Sequence, residues 1–248
     1  MELSRTLDEL DFYLNDFTKR FEKKLLFSKK INVLDAGCGN GLVMLGLSKR
    51  FGNKIKLVGY NQKKEHGNFN SMKLKGIKKS IISDNEFKQV KNNISFTYFD
   101  VDKKFLFKKN SFDFIYSLAS IYLYQDKIKF LENCNNILKD KGVARIQLFE
   151  IKNSDKNISK EILGKPMEYN AFIEIWDDGK LISIKDYFKQ FKGVNIGFGK
   201  KENGNKIVYV EIIKQKKLDF GLEFLYAIDS HKIYDSWMGV KSIYKVKK

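Results

Sequence analysis

The segment Val33-Leu34-Asp35-Ala36-Gly37-Cys38-Gly39-Asn40-Gly41 concentrates more chemistry than any other stretch of this 248-residue chain. Glycines at 37, 39 and 41 permit positive φ and let the backbone approach a ligand closely where a helix begins. A dinucleotide fingerprint would place its third glycine at position 42, which is Leu42, and a phosphate loop would end in Gly-Lys-Ser/Thr, which is absent. What remains is a carboxylate two positions before the first glycine, able to attract an ammonium, and exposed amides able to bind a carboxylate. That pair matches a zwitterionic amino-acid moiety; the alternative is a glycine-rich turn with no ligand.

Other reactive groups are few. His66 and His231 are the only histidines, and each is a candidate general base for a hydroxyl substrate, with a solvent-exposed histidine as the plainer alternative. Cys38 and Cys134 form neither a disulfide framework nor a metal-ligand spacing, and there is no HExxH or Ser/His/Asp order, so no metal is expected.

The elements that must position these groups follow from periodicity. Residues 3–27 place Leu7, Leu10, Tyr13, Leu14, Phe17 and Phe21 at helical spacing, which predicts one amphipathic N-terminal helix within residues 1–28. Strands are predicted at 31–34, 55–60, 94–101, 112–118 and 143–149. A helix lies between the last two, carrying Ile128, Leu131, Cys134, Ile137 and Leu138 on one face, with Gly142 as its stop. Strands alternating with helices mean a parallel sheet. Residues 62–93 predict one helix plus an extended loop. Residues 152–182, with the only proline, Pro166, read as an insertion with a hairpin that caps the ligand. The strands at 194–198 and 207–213 are too closely spaced for a crossover helix and must pair antiparallel. Residues 217–248 remain a C-terminal extension without a place, and the whole chain, 1–248, is expected to be a single domain.

With these motifs in this order, residues 31–150 resemble the class I S-adenosylmethionine-dependent methyltransferases. The resemblance implies an α/β fold, a three-layer Rossmann-like sandwich whose mostly parallel seven-stranded sheet ends in an antiparallel hairpin strand. It implies S-adenosylmethionine as cofactor, with Asp35, Gly37, Cys38, Gly39 and Gly41 around its methionine part. At the end of the second strand the family carries an acidic residue for the ribose; Asn61 stands there, supplemented by Gln62. Asp100 and the backbone of Val101 match the adenine contacts, and Ser117, ending the fourth strand, falls at the cofactor. No Asn-Pro-Pro-Tyr motif is present, which opposes methylation of base or amide nitrogens. Tyr122 stands near the position where small-molecule members carry a histidine, as a lid aromatic or a proton acceptor.

Composition bounds the partners. Hydrophobic residues make up 43% and aromatics 14%, enough for a packed core. No stretch approaches a membrane span and the first thirty residues lack an apolar signal core, so a cytoplasmic protein with no membrane partner is expected. The net charge of +17 points toward anions. Of the 47 basic residues, however, only Arg5, Arg20, Arg50 and Arg145 are arginine, the residue of bidentate phosphate and base contacts. The expected acceptor is therefore a small polar or anionic metabolite methylated on oxygen, such as a phosphorylated or nucleotide-linked sugar. RNA or protein as acceptor is the first rival, and a noncatalytic S-adenosylmethionine-binding partner subunit the second. Neither the oligomeric state nor the acceptor's identity follows from the sequence.

Overall fold

In a computed structural model, residues 5–103, 105–151, 173–200, 204–229 and 239–248 are described. The chain runs α1 (Leu7–Tyr13), α2 (Phe17–Leu25), β1 (Ile31–Ala36), α3 (Leu42–Phe51), β2 (Ile55–Asn61), α4 (Phe69–Lys78), α5 (Asp84–Val90), β3 (Ile94–Tyr98), β4 (Phe112–Ser117), α6 (Lys127–Ile137) and β5 (Leu138–Ile151). After it come β6 (Ile173–Asp177), β7 (Lys180–Ile182), α7 (Ile184–Phe188), β8 (Val194–Lys200), β9 (Lys206–Ile213), β10 (Leu222–Asp229) and β11 (Val240–Val246).

Seven strands form one sheet in the order β3-β2-β1-β4-β5-β9-β8. β1 to β5 are mutually parallel, with Val33 opposite Leu57 on one side and opposite Phe114 on the other. β9 runs antiparallel to both β5 and β8, so the reversed strand is threaded between them rather than left at the edge. The winding reverses between β1 and β4. In an open α/β sheet, a crevice opens at the carboxyl ends of the strands at such a point.

Two apolar clusters sandwich the sheet. One gathers Leu10, Phe17 and Phe21 of α1 and α2 with Leu42, Leu45 and Leu47 of α3. The other gathers Ile128, Leu131 and Ile137 of α6 with residues of a second sheet.

Four expectations are corrected. The N-terminal helix is two helices, broken where Asn15 and Asp16 take φ of 53° and 56°. The carbonyls freed at the break, of Leu14 and Asn15, accept from Arg145 Nη1, and Arg145 Nε donates to Glu211 at 2.6 Å. Residues 62–93 hold two helices, α4 and α5, each started by a side-chain cap from Asn68 and Ser83. The helix before the fifth strand ends at Ile137, not at Gly142, and β5 begins at once, with Lys141 at φ of 60°.

The C-terminal residues are not a tail. β10 and β11 form a hairpin, and β11 pairs parallel with β6, giving a second sheet in the order β10-β11-β6-β7. The hairpin read at 171–184 is there as β6 and β7, while 152–172, Pro166 and His231 lie outside the described residues. This second sheet reaches back to the crevice. Buried Lys127 Nζ donates to Tyr124 O at 2.6 Å and to Ser242 Oγ at 2.8 Å, and Tyr244 Oη accepts from Ile128 N at 3.1 Å. Among the described residues no helix is long and apolar enough to cross a membrane.

Candidate functional site

β1 delivers Asp35 and then the glycine turn to the switch point. The amides of Gly37 and Cys38 both donate to Tyr60 O at 2.9 Å, which stitches the turn to the end of β2. Gly37 has φ of 77°, and a Cβ there would drive into Ser120, whose hydroxyl donates to Ala36 O at 2.9 Å. Gly39 has φ of 51° but open space where a Cβ would be. The first glycine lets the loop after β4 close on the turn; the second leaves a backbone surface that a ligand can approach.

Asp35 is 3% exposed, and its Oδ2 accepts from Tyr116 Oη at 2.9 Å, on the adjacent strand. Burial pushes the Asp35 carboxyl up to about 7, with the tyrosine hydrogen bond opposing. No Lys or Arg is ion-paired with it among the described residues. A buried carboxylate without a cation favours an incoming ammonium.

A cavity of about 520 Å³ opens on the turn, within the range of small-molecule sites. Asp35, Gly37, Cys38, Gly39, Asn61, Gln62, Asp100, Val101, His66 and Tyr122 all line it. Gly41 and Ser117, named from the sequence as cofactor residues, do not. Gly41 starts α3 and packs against Met72, Met44 and Phe96, and Ser117 is fully buried with its hydroxyl on Ser120. None of the described residues of the 152–182 insertion, 173–182, lines the cavity.

Asn61 is the main departure. Its side chain is 4% exposed and holds Gly39 from both sides: Oδ1 accepts from Gly39 N and Nδ2 donates to Gly39 O, each at 2.9 Å. The carboxamide therefore clamps the turn and does not offer its oxygen to a ribose. Gly67 presses on the same carbonyl, where any Cβ would collide with Gly39 O, and Tyr98 Oη donates to Gly67 O at 3.1 Å. The loop carrying His66 is thus fastened to the turn.

Several lining residues escaped the sequence reading. Arg5 enters from ahead of α1, and Ser120, Tyr124 and Asp102 from the two loops flanking β4. Asp102 fixes the second loop by accepting from the amides of Gln125 and Asp126. Tyr60, 2% exposed, packs its ring on Phe99 with centroids 4.3 Å apart. No local pattern announces these residues: in the Asp100-Val101-Asp102 turn it is Asp100 Oδ1 that accepts from Asp102 N, at 3.1 Å, whereas Asp102 acts on amides from the far side of β4. Among the described residues no group of three or more His, Cys, Asp or Glu is placed to hold a metal ion.

A family model described as a methyltransferase domain matches residues 8–186. Among solved structures, the chain is similar to a SAM-dependent methyltransferase from Aquifex aeolicus, at 19% identity and a TM-score of 0.50, over 83% of this chain and 93% of that one. It is also similar to the [4+2]-cyclase SpnF, at 12% identity and a TM-score of 0.50, over 80% and 81%. A Galdieria sulphuraria protein described as a candidate sarcosine dimethylglycine methyltransferase matches at 18% identity and a TM-score of 0.45, over 72% of this chain; the chain spans 60% of that protein's length. At these identities the likeness shows the fold alone, and that fold is shared with a cyclase. No curated protein matches in sequence.

Proposed function

We propose that this chain, which belongs to the methyltransferase-domain family, transfers the methyl group of S-adenosylmethionine to an oxygen of a small polar or anionic metabolite, such as a phosphorylated or nucleotide-linked sugar. The observation that carries the donor assignment is the buried Asp35 carboxylate beside the open backbone of Gly39. Together they present one negative side chain and a backbone surface that a ligand can approach, the complement of the ammonium end of an α-amino acid.

The residues fit the donor. Asp35 receives its ammonium. Asp100 accepts from the adenine amino group beside Val101. Because Asn61 is committed to Gly39, the ribose contact passes to Gln62. When bound, S-adenosylmethionine supplies a methyl carbon on a positively charged sulfur that leaves without protonation.

The protein's remaining work is positioning, with removal of a proton where the acceptor is a hydroxyl. Burial pushes the Tyr122 phenol up, so it stays protonated near neutrality and serves as a wall or hydrogen-bond donor. Among the described residues His66, on the loop fastened to Gly39, is the imidazole that lines the cavity, and it is the group suited to take the proton. Arg5, His66 and Lys75 give the lining three basic side chains suited to an anionic acceptor.

Calorimetry of the full chain tests the donor assignment. S-adenosylhomocysteine should bind while NAD and ATP do not at comparable concentration, because the turn has neither phosphate fingerprint. Tighter binding of NAD would overturn it. Methyl transfer across a panel of phosphorylated and carboxylated hydroxyl compounds tests the acceptor class, and transfer to neutral compounds alone would refute it.

A further inference from the structure

Arg5 is the one arginine lining the cavity, and half of its guanidinium is already used. Nη1 donates to Glu9 Oε1 at 3.0 Å and to Tyr13 Oη at 3.2 Å, and the guanidinium carbon lies 5.1 Å from the Tyr13 ring centroid. The cap of α1 holds Glu9 in turn, since Thr6 N donates to Glu9 Oε2 at 2.8 Å. These contacts fix the plane of the guanidinium and one of its edges.

The other edge is bare. Among the described residues nothing bonds to Nε or Nη2, and Nε is buried without an acceptor. A buried N–H with no partner is destabilising until an oxygen reaches it. The Nε/Nη2 edge is also the one that receives two oxygens of a single carboxylate or phosphate in parallel, which a lysine ammonium does not reproduce. Tyr122 stands close by, close enough that the positive charge of Arg5 offsets part of the rise that burial causes in its phenol.

Of the acids lining the cavity, the methyl-transfer reading assigns Asp35 to the donor's ammonium and Asp100 to its adenine, and Asp102 caps a loop. We infer that the bare edge of Arg5 anchors an anionic oxygen pair, a carboxylate or a phosphate, of the methyl acceptor. That the ligand is the acceptor rests on the methyl-transfer reading; that the edge binds an anion does not. Specificity then lies in the approach to α1, outside the residues that hold the donor, and it selects acceptors that carry the anion at a fixed distance from the methylated oxygen.

The Nε–H proton resonances of the four arginines report this directly. Acetate, inorganic phosphate and neutral acetamide are titrated separately into the full-length protein, with and without S-adenosylhomocysteine. The expected result is a saturable downfield shift of the Arg5 Nε–H with acetate or phosphate, none with acetamide, and none of that size at the exposed-site control Arg50. Arg5→Lys, which keeps the charge and loses the fork, should weaken that anion about tenfold, read from backbone amides near Thr6, with S-adenosylhomocysteine affinity unchanged. Saturation by acetate alone assigns a carboxylate acceptor, by phosphate alone a phosphorylated one, and either supports the anchor. No saturable shift with either anion, an equal response to acetamide, or an Arg5→Lys variant that binds as well as wild type overturns it. A wild-type protein that fails to bind S-adenosylhomocysteine overturns the methyl-transfer reading instead, and the titration without nucleoside still decides the anchor.

Discussion

Restoring the family's acidic residue at the end of β2 should damage this protein. In Asn61→Asp, Oδ1 still accepts from Gly39 N, but the second oxygen replaces an N–H that donated to Gly39 O at 2.9 Å. A carboxylate oxygen then faces a carbonyl oxygen in a site 4% exposed. The change loses a neutral hydrogen bond worth about 0.5–1.5 kcal/mol and leaves the carbonyl opposed, while the remaining bond gains about 1 kcal/mol from its charge. Burial of an unpaired carboxylate adds a larger cost. The protein can escape by protonating the acid, whose O–H then donates to Gly39 O. Holding a group of ordinary pKa near 3.9 protonated at pH 7 costs about 4 kcal/mol, at 1.36 kcal/mol per unit. The cheaper of the two routes sets the penalty, about 1–3 kcal/mol at neutral pH.

The sign with pH follows. The variant's carboxyl has a folded pKa above its unfolded value, so its stabilising protonated form is present below about pH 4 and is lost as pH rises through the folded pKa. Chemical denaturation of wild type and variant at pH 5 and pH 8 should show the deficit growing with pH, and calorimetry should show S-adenosylhomocysteine about five- to a hundred-fold weaker at pH 8. Asn61→Ala, which removes both bonds without adding charge, should lose stability by a similar amount with no pH dependence. Tighter donor binding by Asn61→Asp at pH 8, or an unchanged stability, would refute the clamp and return Asn61 to the ribose.

The Asp35 carboxyl, pushed up to about 7 by burial, predicts donor binding that strengthens as pH rises from 6 to 8, with proton release on binding below pH 7; isothermal titration in two buffers of different ionisation heat checks it, and Asp35→Asn should flatten the slope. The same raised value makes the ligand-free protein lose stability as pH rises between about 4 and 7, because over that interval the folded state binds more protons than the unfolded one. Gly37→Ala and Gly39→Val should separate folding from binding. The first forces a Cβ into Ser120 at φ of 77° and should lower the denaturation midpoint severely. The second meets open space, costs about 1–2 kcal/mol for its backbone, and should fold without binding S-adenosylhomocysteine.

The turn was legible because glycine spacing alone excludes two phosphate motifs, and the parallel sheet was legible because each strand carries its own apolar run. What escaped depends on partners distant in the chain. Residues 222–246 look like a tail until β11 pairs with β6, a parallel contact that no local pattern announces. Lys127 interrupts an apolar helix face as a surface lysine would, yet it is fully buried because Tyr124 O, in the loop before α6, and Ser242 Oγ, on β11, accept hydrogen bonds from its Nζ. Asn61 is the most consequential case. Its position is visible in the sequence, but its function is decided by Gly39, and the two meet only when β1 and β2 pair with Asp35 opposite Gly59. Where the family pattern has a charge facing outward to a ribose, this chain has a two-sided amide facing inward to its own turn. An aspartate cannot satisfy both backbone groups of one residue, whereas an asparagine can. The substitution thus moves the residue from holding the ligand to shaping the loop that holds it, and the ribose contact must come from the next position along, at Gln62.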